Sequence, residues 1–121
     1  MALVLIVDDS PTEVHLLRQY LENNGFETEA AEDGSEGVSK ARKLRPDLVL
    51  MDIVMPVMNG YQATRELSRD PDTAAIPVVM VTTKGDETDR IWGMRQGATD
   101  YIVKPVSEMQ LVNKIKTVLG H

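Results

Sequence analysis

In four segments an apolar run stops abruptly at groups able to do chemistry: LVLIVDDS at 3–10, LVLMDIVMP at 48–56, VVMVTTK at 78–84 and YIVKP at 101–105. The first two runs end on carboxylates, Asp8 with Asp9 and then Asp52. The other two end on hydroxyls, Thr82 with Thr83, and on the ammonium of Lys104. A buried ionised carboxylate without partners costs several kcal/mol or takes up a proton. Asp52 is therefore either a neutral structural acid or part of an opening where something pairs with it. Three carboxylates gathered within about 5 Å would repel by roughly 3 kcal/mol per ionised pair at an effective dielectric of roughly 20. A proton or a cation must relieve that repulsion. Oxygen ligands without histidine or cysteine favour a hard divalent ion, and Mg²⁺ is the expected one. A carboxylate nucleophile, a metal and a nearby lysine together suit phosphoryl transfer.

For these groups to meet, the runs must be parallel strands ending at one edge. Leu3–Val7, Leu48–Met51 and Val78–Val81 are nearly all apolar, as strands covered on both faces are. Glu27–Ala31 and Tyr101–Val103 are more polar or shorter and suit sheet edges. Helix-length segments lie between them. Ser10-Pro11-Thr12-Glu13 offers an N-cap, a first-turn proline and a capping-box glutamate, with Gly25 as a stop. Asp33 and Glu36 repeat that spacing ahead of Val38, Ala41 and Leu44. Asn59 can cap a third helix carrying Ala63 and Leu67. A fourth helix, about Asp86 to Gln96, is expected to turn Ile91 and Met94 inward and to be weakened by Gly93. Ser107 and Gln110 open a fifth, with Leu111, Val112, Ile115, Val118 and Leu119 on its apolar face.

Five β-α repeats with right-handed crossovers predict an α/β fold: a doubly wound five-stranded parallel sheet, flavodoxin-like, in the order 2-1-3-4-5. That order puts the two weaker runs at the edges. Ligands bind such sheets at the carboxyl ends of the strands, where the winding reverses. Asp8, Asp9 and Asp52 would meet there, with Lys104 and a threonine hydroxyl on the same rim.

The bulk composition narrows the function. The 121 residues, 42% of them hydrophobic, suit one domain, 1–121, with no output domain expected. The absence of cysteine excludes disulfides, thiolate metal sites and cysteine catalysis, and suggests a cytoplasmic protein. A net charge of −6 argues against non-specific nucleic-acid binding. There is no apolar run of about 18 residues to span a membrane. The N-terminal MALVLIVDDS does not read as a signal peptide. His15 and His121 are expected at the surface, away from the acidic rim.

VDDS at 7–10, LMDIVMPVMNG at 50–60, VTTK at 81–84 and GATDYIVKP at 97–105, in this order, resemble the receiver domains of two-component response regulators, the CheY-like family. CheY is the familiar example of the 2-1-3-4-5 order, so the order and the resemblance are one expectation. The phrases LIVDDSPTE, MDIVMPVMNGYQATREL, IPVVMVTTK and WGMRQGATDY are most similar to stand-alone regulators of type IV pilus twitching motility, of the PilH type.

The resemblance implies that Asp52 is the phosphoacceptor, taking its phosphoryl group from the phosphohistidine of a sensor histidine kinase, CheA-like in this subfamily. It implies that Asp8, Asp9, Asp52 and the backbone carbonyl of Val54 hold Mg²⁺. Thr82 and Lys104 match the phosphate-binding hydroxyl and lysine. Thr83 stands beside them as a second candidate, at a position where a small residue is common and access would be narrowed. Thr82 and Tyr101 match the switch pair, Tyr101 swinging inward. The Lys104–Pro105 bond is expected to be cis. Output would pass to a downstream protein through the fourth helix, fifth strand and fifth helix, a surface that includes Trp92 and Tyr101. Val54 and Lys84 match the positions that flank the phosphoryl group and influence its lifetime.

Two other readings compete. Haloacid-dehalogenase-like phosphatases also use an aspartyl phosphate, but they carry a second acid two residues after the nucleophile, where this chain has Val54. A binding module that is never phosphorylated would have no use for the complete set of acids and lysine. The expectation is therefore a phosphoacceptor switch that catalyses only its own phosphorylation and dephosphorylation.

Overall fold

The computed structural model describes residues 2–120; His121 lies outside them. Five strands and five helices alternate: β1 (Leu3–Val7), α1 (Pro11–Glu22), β2 (Glu27–Ala31), α2 (Gly34–Leu44), β3 (Leu48–Met51), α3 (Gly60–Arg69), β4 (Val78–Thr82), α4 (Glu87–Arg95), β5 (Asp100–Val103) and α5 (Glu108–Leu119). The strands form one parallel sheet in the order β2-β1-β3-β4-β5. The doubly wound fold expected from the apolar runs is the one observed.

The sheet divides two apolar layers. On one face Val4, Ile6, Leu48, Leu50, Val79 and Val81 pack against Leu17, Leu21, Leu111 and Ile115 of α1 and α5. On the other Leu5, Val7, Val49, Met51 and Val78 meet Val38, Ala41, Ala63 and Leu67 of α2 and α3. Alternate residues of each central strand thus serve opposite layers, which is why those strands are apolar throughout.

The helix starts follow their caps. Ser10 accepts from the Glu13 N–H at 3.3 Å and Asp33 from the Glu36 N–H at 2.8 Å. Among the described residues the reciprocal capping box is completed at Asn59 and Gln62 rather than at Ser10 and Glu13. Helix α1 ends earlier than the glycine signal suggested, with Asn23 as its C-cap and Gly25 at φ 87° in the turn beyond.

Helix α4 departs from expectation. Ile91 and Met94 point to solvent, as does Trp92, and Gly93 is its buried residue. The inward line of α4 is so close to β4 that a Cβ on Gly93 would stand 2.6 Å from Met80 Sδ. Bulky residues had to go to the outer face. Periodicity alone cannot say which side of a helix with few apolar residues faces in.

The loop from β3 to α3 is tightly set. Gly60 donates its N–H to the Ile53 carbonyl at 2.8 Å, and a Cβ there would lie 2.0 Å from the Asp52 carbonyl oxygen. Val57, at the tip, has φ 68°, and the Met58 N–H bonds back to the Pro56 carbonyl at 2.7 Å. A β-branched residue in that backbone region is strained.

Candidate functional site

Strand register brings the acids together. Val7 pairs with Met51, so the next residue of each strand, Asp8 and Asp52, emerges at the same edge. The Asp52 N–H donates to the Val7 carbonyl at 3.0 Å, and the Asp8 N–H to the Ala31 carbonyl at 3.1 Å. Carboxylate oxygens of Asp8, Asp9 and Asp52 lie within 4.8 Å of one another. Asp8 is buried, Asp52 partly so, and Asp9 exposed.

Lys104 reaches this group from β5. Its backbone N–H bonds to the Thr82 carbonyl at 2.8 Å, and the Lys104–Pro105 peptide is cis. The ammonium bonds to Asp8 Oδ2 at 2.8 Å and stands 3.8 Å from Asp52 Oδ2. Asp8 Oδ1 also accepts from the Ser10 N–H at 2.9 Å, and Asp52 Oδ1 from the Ile53 N–H at 2.9 Å. Each acid thus has one oxygen fixed by backbone and the other turned toward the lysine.

The electrostatics follow from this arrangement. Burial pushes the Asp52 carboxyl above its ordinary value of 3.8, with the Asp8 charge adding to the rise. The Lys104 ammonium opposes it, as do the Ile53 N–H and the Thr82 hydroxyl, without cancelling it. For Lys104, burial favours the neutral amine, but the Asp8 bond and the charges of Asp52 and Asp8 outweigh it and raise the pKa. The lysine is therefore firmly cationic, and one monovalent charge faces three acids. The donor set, hard oxygens at one open edge, fits a divalent cation such as Mg²⁺.

The remaining candidates take different positions. Thr82 is buried beside Asp52, whereas Thr83 is exposed. Val54 lies in the bend after Asp52 with its side chain exposed. Tyr101 is buried; its hydroxyl donates to the Lys84 carbonyl, and the Arg90 guanidinium lies 6.0 Å from the ring centroid. Trp92 is 45% exposed on α4.

His15 is exposed, but it is not away from the acids: it lines a cavity of about 360 Å³ together with Asp8, Asp9, Arg18, Glu36 and Lys40. Its place in the first turns of α1, directly after the acidic pair, was the available signal. Sequence reasoning also missed Tyr61, whose hydroxyl donates to the Asp89 carbonyl at 3.1 Å and lies 3.3 Å from Asp89 Oδ1. No motif marks that pair.

A family model described as the response regulator receiver domain matches residues 4–116. Protein PilH of Pseudomonas aeruginosa is 57% identical over 120 residues, covering 99% of each chain. The DNA-binding response regulator MtrA of Mycolicibacterium smegmatis is 40% identical over 116 residues, and this chain spans 50% of its length. Among solved structures, the chemotaxis protein CheY4 of Vibrio cholerae superposes with TM-score 0.92 at 34% identity, with 98% of each chain covered. The receiver domain of the sensor histidine kinase PA1611 from Pseudomonas aeruginosa, described with a magnesium ion in its active-site cleft, gives TM-score 0.92 at 28% identity. That match covers 99% of this chain and 98% of the other.

Proposed function

This chain belongs to the response regulator receiver family, and from that membership we propose that Asp52 accepts a phosphoryl group from a kinase phosphohistidine and thereby switches a protein-binding surface. Receivers are phosphorylation-switch regulators rather than enzymes acting on a separate substrate. The observation that carries the assignment is the lysine ammonium shared between Asp8 and Asp52, with Asp9 close by.

Asp8, Asp9, Asp52 and the Val54 carbonyl would hold Mg²⁺, whose positive charge would offset that of the transferring phosphoryl oxygens. The Ile53 N–H holds Asp52 Oδ1, so Oδ2, the oxygen facing Lys104, is the nucleophile. It attacks phosphorus in line; the phosphorus–nitrogen bond breaks and its electron pair returns to the imidazole. Lys104 pairs with the phosphoryl oxygens as they gather charge, and the Thr82 hydroxyl donates to one of them. The exposed Val54 side chain has no group to activate water, which favours a phosphoryl group that persists over turnover.

The donor is a sensor histidine kinase of the CheA type, and control of pilus-driven motility is the biological setting favoured by the likeness to PilH. Output passes through a surface made of α4, β5 and α5, where Trp92 is exposed. Incubation with Mg²⁺ and acetyl phosphate, read by intact mass, should add one phosphoryl group to the wild type and none to Asp52→Asn. Rapid repeated hydrolysis of diverse phosphoesters would favour a phosphatase instead. An unmodified wild type with every donor would remove the acceptor role.

A further inference from the structure

Lys84 is held at three points. Its N–H donates to Thr82 Oγ1 at 3.3 Å, its carbonyl accepts from the Tyr101 hydroxyl, and its ammonium stands 4.0 Å from Asp89 Oδ1. Its backbone is therefore tied to both Thr82 and Tyr101, and Thr82 borders the Asp52 carboxylate. The long side chain starts at the rim of the acidic site yet rests on a helix outside it.

The ends of α4 are fastened differently. At the C-terminal end Gln96 is buried; its Oε1 accepts from Arg65 Nε at 2.6 Å and its carbonyl from Ser68 Oγ at 2.9 Å. At the N-terminal end Asp89 carries the polar contacts, to Tyr61 of α3 and to Lys84. The Lys84–Asp89 pair is long, and its lysine is substantially exposed, so it is weak. A dianionic phosphoryl group is a stronger partner for an ammonium.

We propose that Asp89 is a positioning residue that withholds Lys84 from a phosphoryl group on Asp52, so that phosphoryl recognition and release of the first turn of α4 are one exchange of partners. This rests on Asp52 being the acceptor. When Lys84 turns to the phosphoryl oxygens, Asp89 keeps Tyr61 alone, and α4 pivots about the end pinned by Gln96. Ile91, Trp92 and Met94 move with it. Because linkage is reciprocal, a partner that holds α4 in its released position also tightens phosphoryl binding at the far side of Lys84.

Beryllofluoride with Mg²⁺ tests this, its affinity measured by ¹⁹F NMR and by fluorescence of Trp92, the one tryptophan in the chain. Asp89→Asn should tighten binding about fivefold, and Lys84→Met should weaken it about fivefold. Asp89→Glu, which keeps the charge, should return affinity to within about twofold of wild type. In the Lys84→Met background Asp89→Asn should have no effect. An equal tightening by Asp89→Asn with and without Lys84 overturns the proposal, as does an unchanged or weaker affinity in the single variant. A folded wild type that binds no beryllofluoride overturns both this and the acceptor role, whereas wild-type binding with an additive cycle removes this proposal alone.

Discussion

Asp52 occupies a position where ionisation is costly to the fold. Its folded pKa is raised, by burial first and then by Asp8, so the folded state binds the proton more tightly than the unfolded chain does. Above that raised pKa the full penalty for the charge applies; as pH falls below it the folded carboxyl becomes neutral, and the penalty shrinks until it is gone below the ordinary value of 3.8. In a chelating buffer Asp52→Asn should therefore be more stable than wild type near pH 7.5, by about 1–2 kcal/mol. The advantage should shrink in thermal melts toward pH 4. Lys104 keeps Asp8 as a partner in that variant, so no buried cation is left alone. At this scale the sequence was informative wherever a charged or hydroxyl group interrupted an apolar run. Asp8, Asp52, Thr82 and Lys104 all break the pattern at strand ends. It was silent on Tyr61 and Asp89, because a bond between two polar residues on different helices leaves no periodic trace.

Helix α4 shows where element-level reading fails. From propensity alone, replacing Gly93 with alanine would stabilise α4 by about 1 kcal/mol. The Cβ would meet Met80 Sδ at 2.6 Å within a buried layer, and overpacking of that kind costs about 1–3 kcal/mol. Gly93→Ala is expected to lower stability by about 1 kcal/mol in urea unfolding. The same Gly93 suggested a weak helix from sequence, and the closeness of Met80 is what requires it. Helices α1, α2, α3 and α5 were readable because each joins a cap to an apolar stripe that meets the core. With Ile91, Trp92 and Met94 outward, α4 has no such stripe.

The whole molecule is unevenly secured. Two apolar layers clamp β1, β3 and β4 between helix pairs, while α4 rests on a small cluster of Ile53, Met80, Ala98, Tyr101 and Tyr61. Opening free energies should follow that distribution. Native-state hydrogen exchange is expected to find the amides of α4 exchanging well before those of α1 and α5. Equal protection across all five helices would mean that α4 moves only with the rest. Polarity pointed to the two edge strands, and the full strand order came with the family resemblance; the unequal grip on the helices depends on contacts between distant segments. One consequence concerns the turn that carries strain at Val57 and admits no side chain at Gly60. Most surface connections absorb an added or missing residue, but between Asp52 and Gly60 there is no slack. A single insertion there would press against the seat of Gly60 on the Asp52 carbonyl, so this acidic edge is measured out by chain length as much as by residue type.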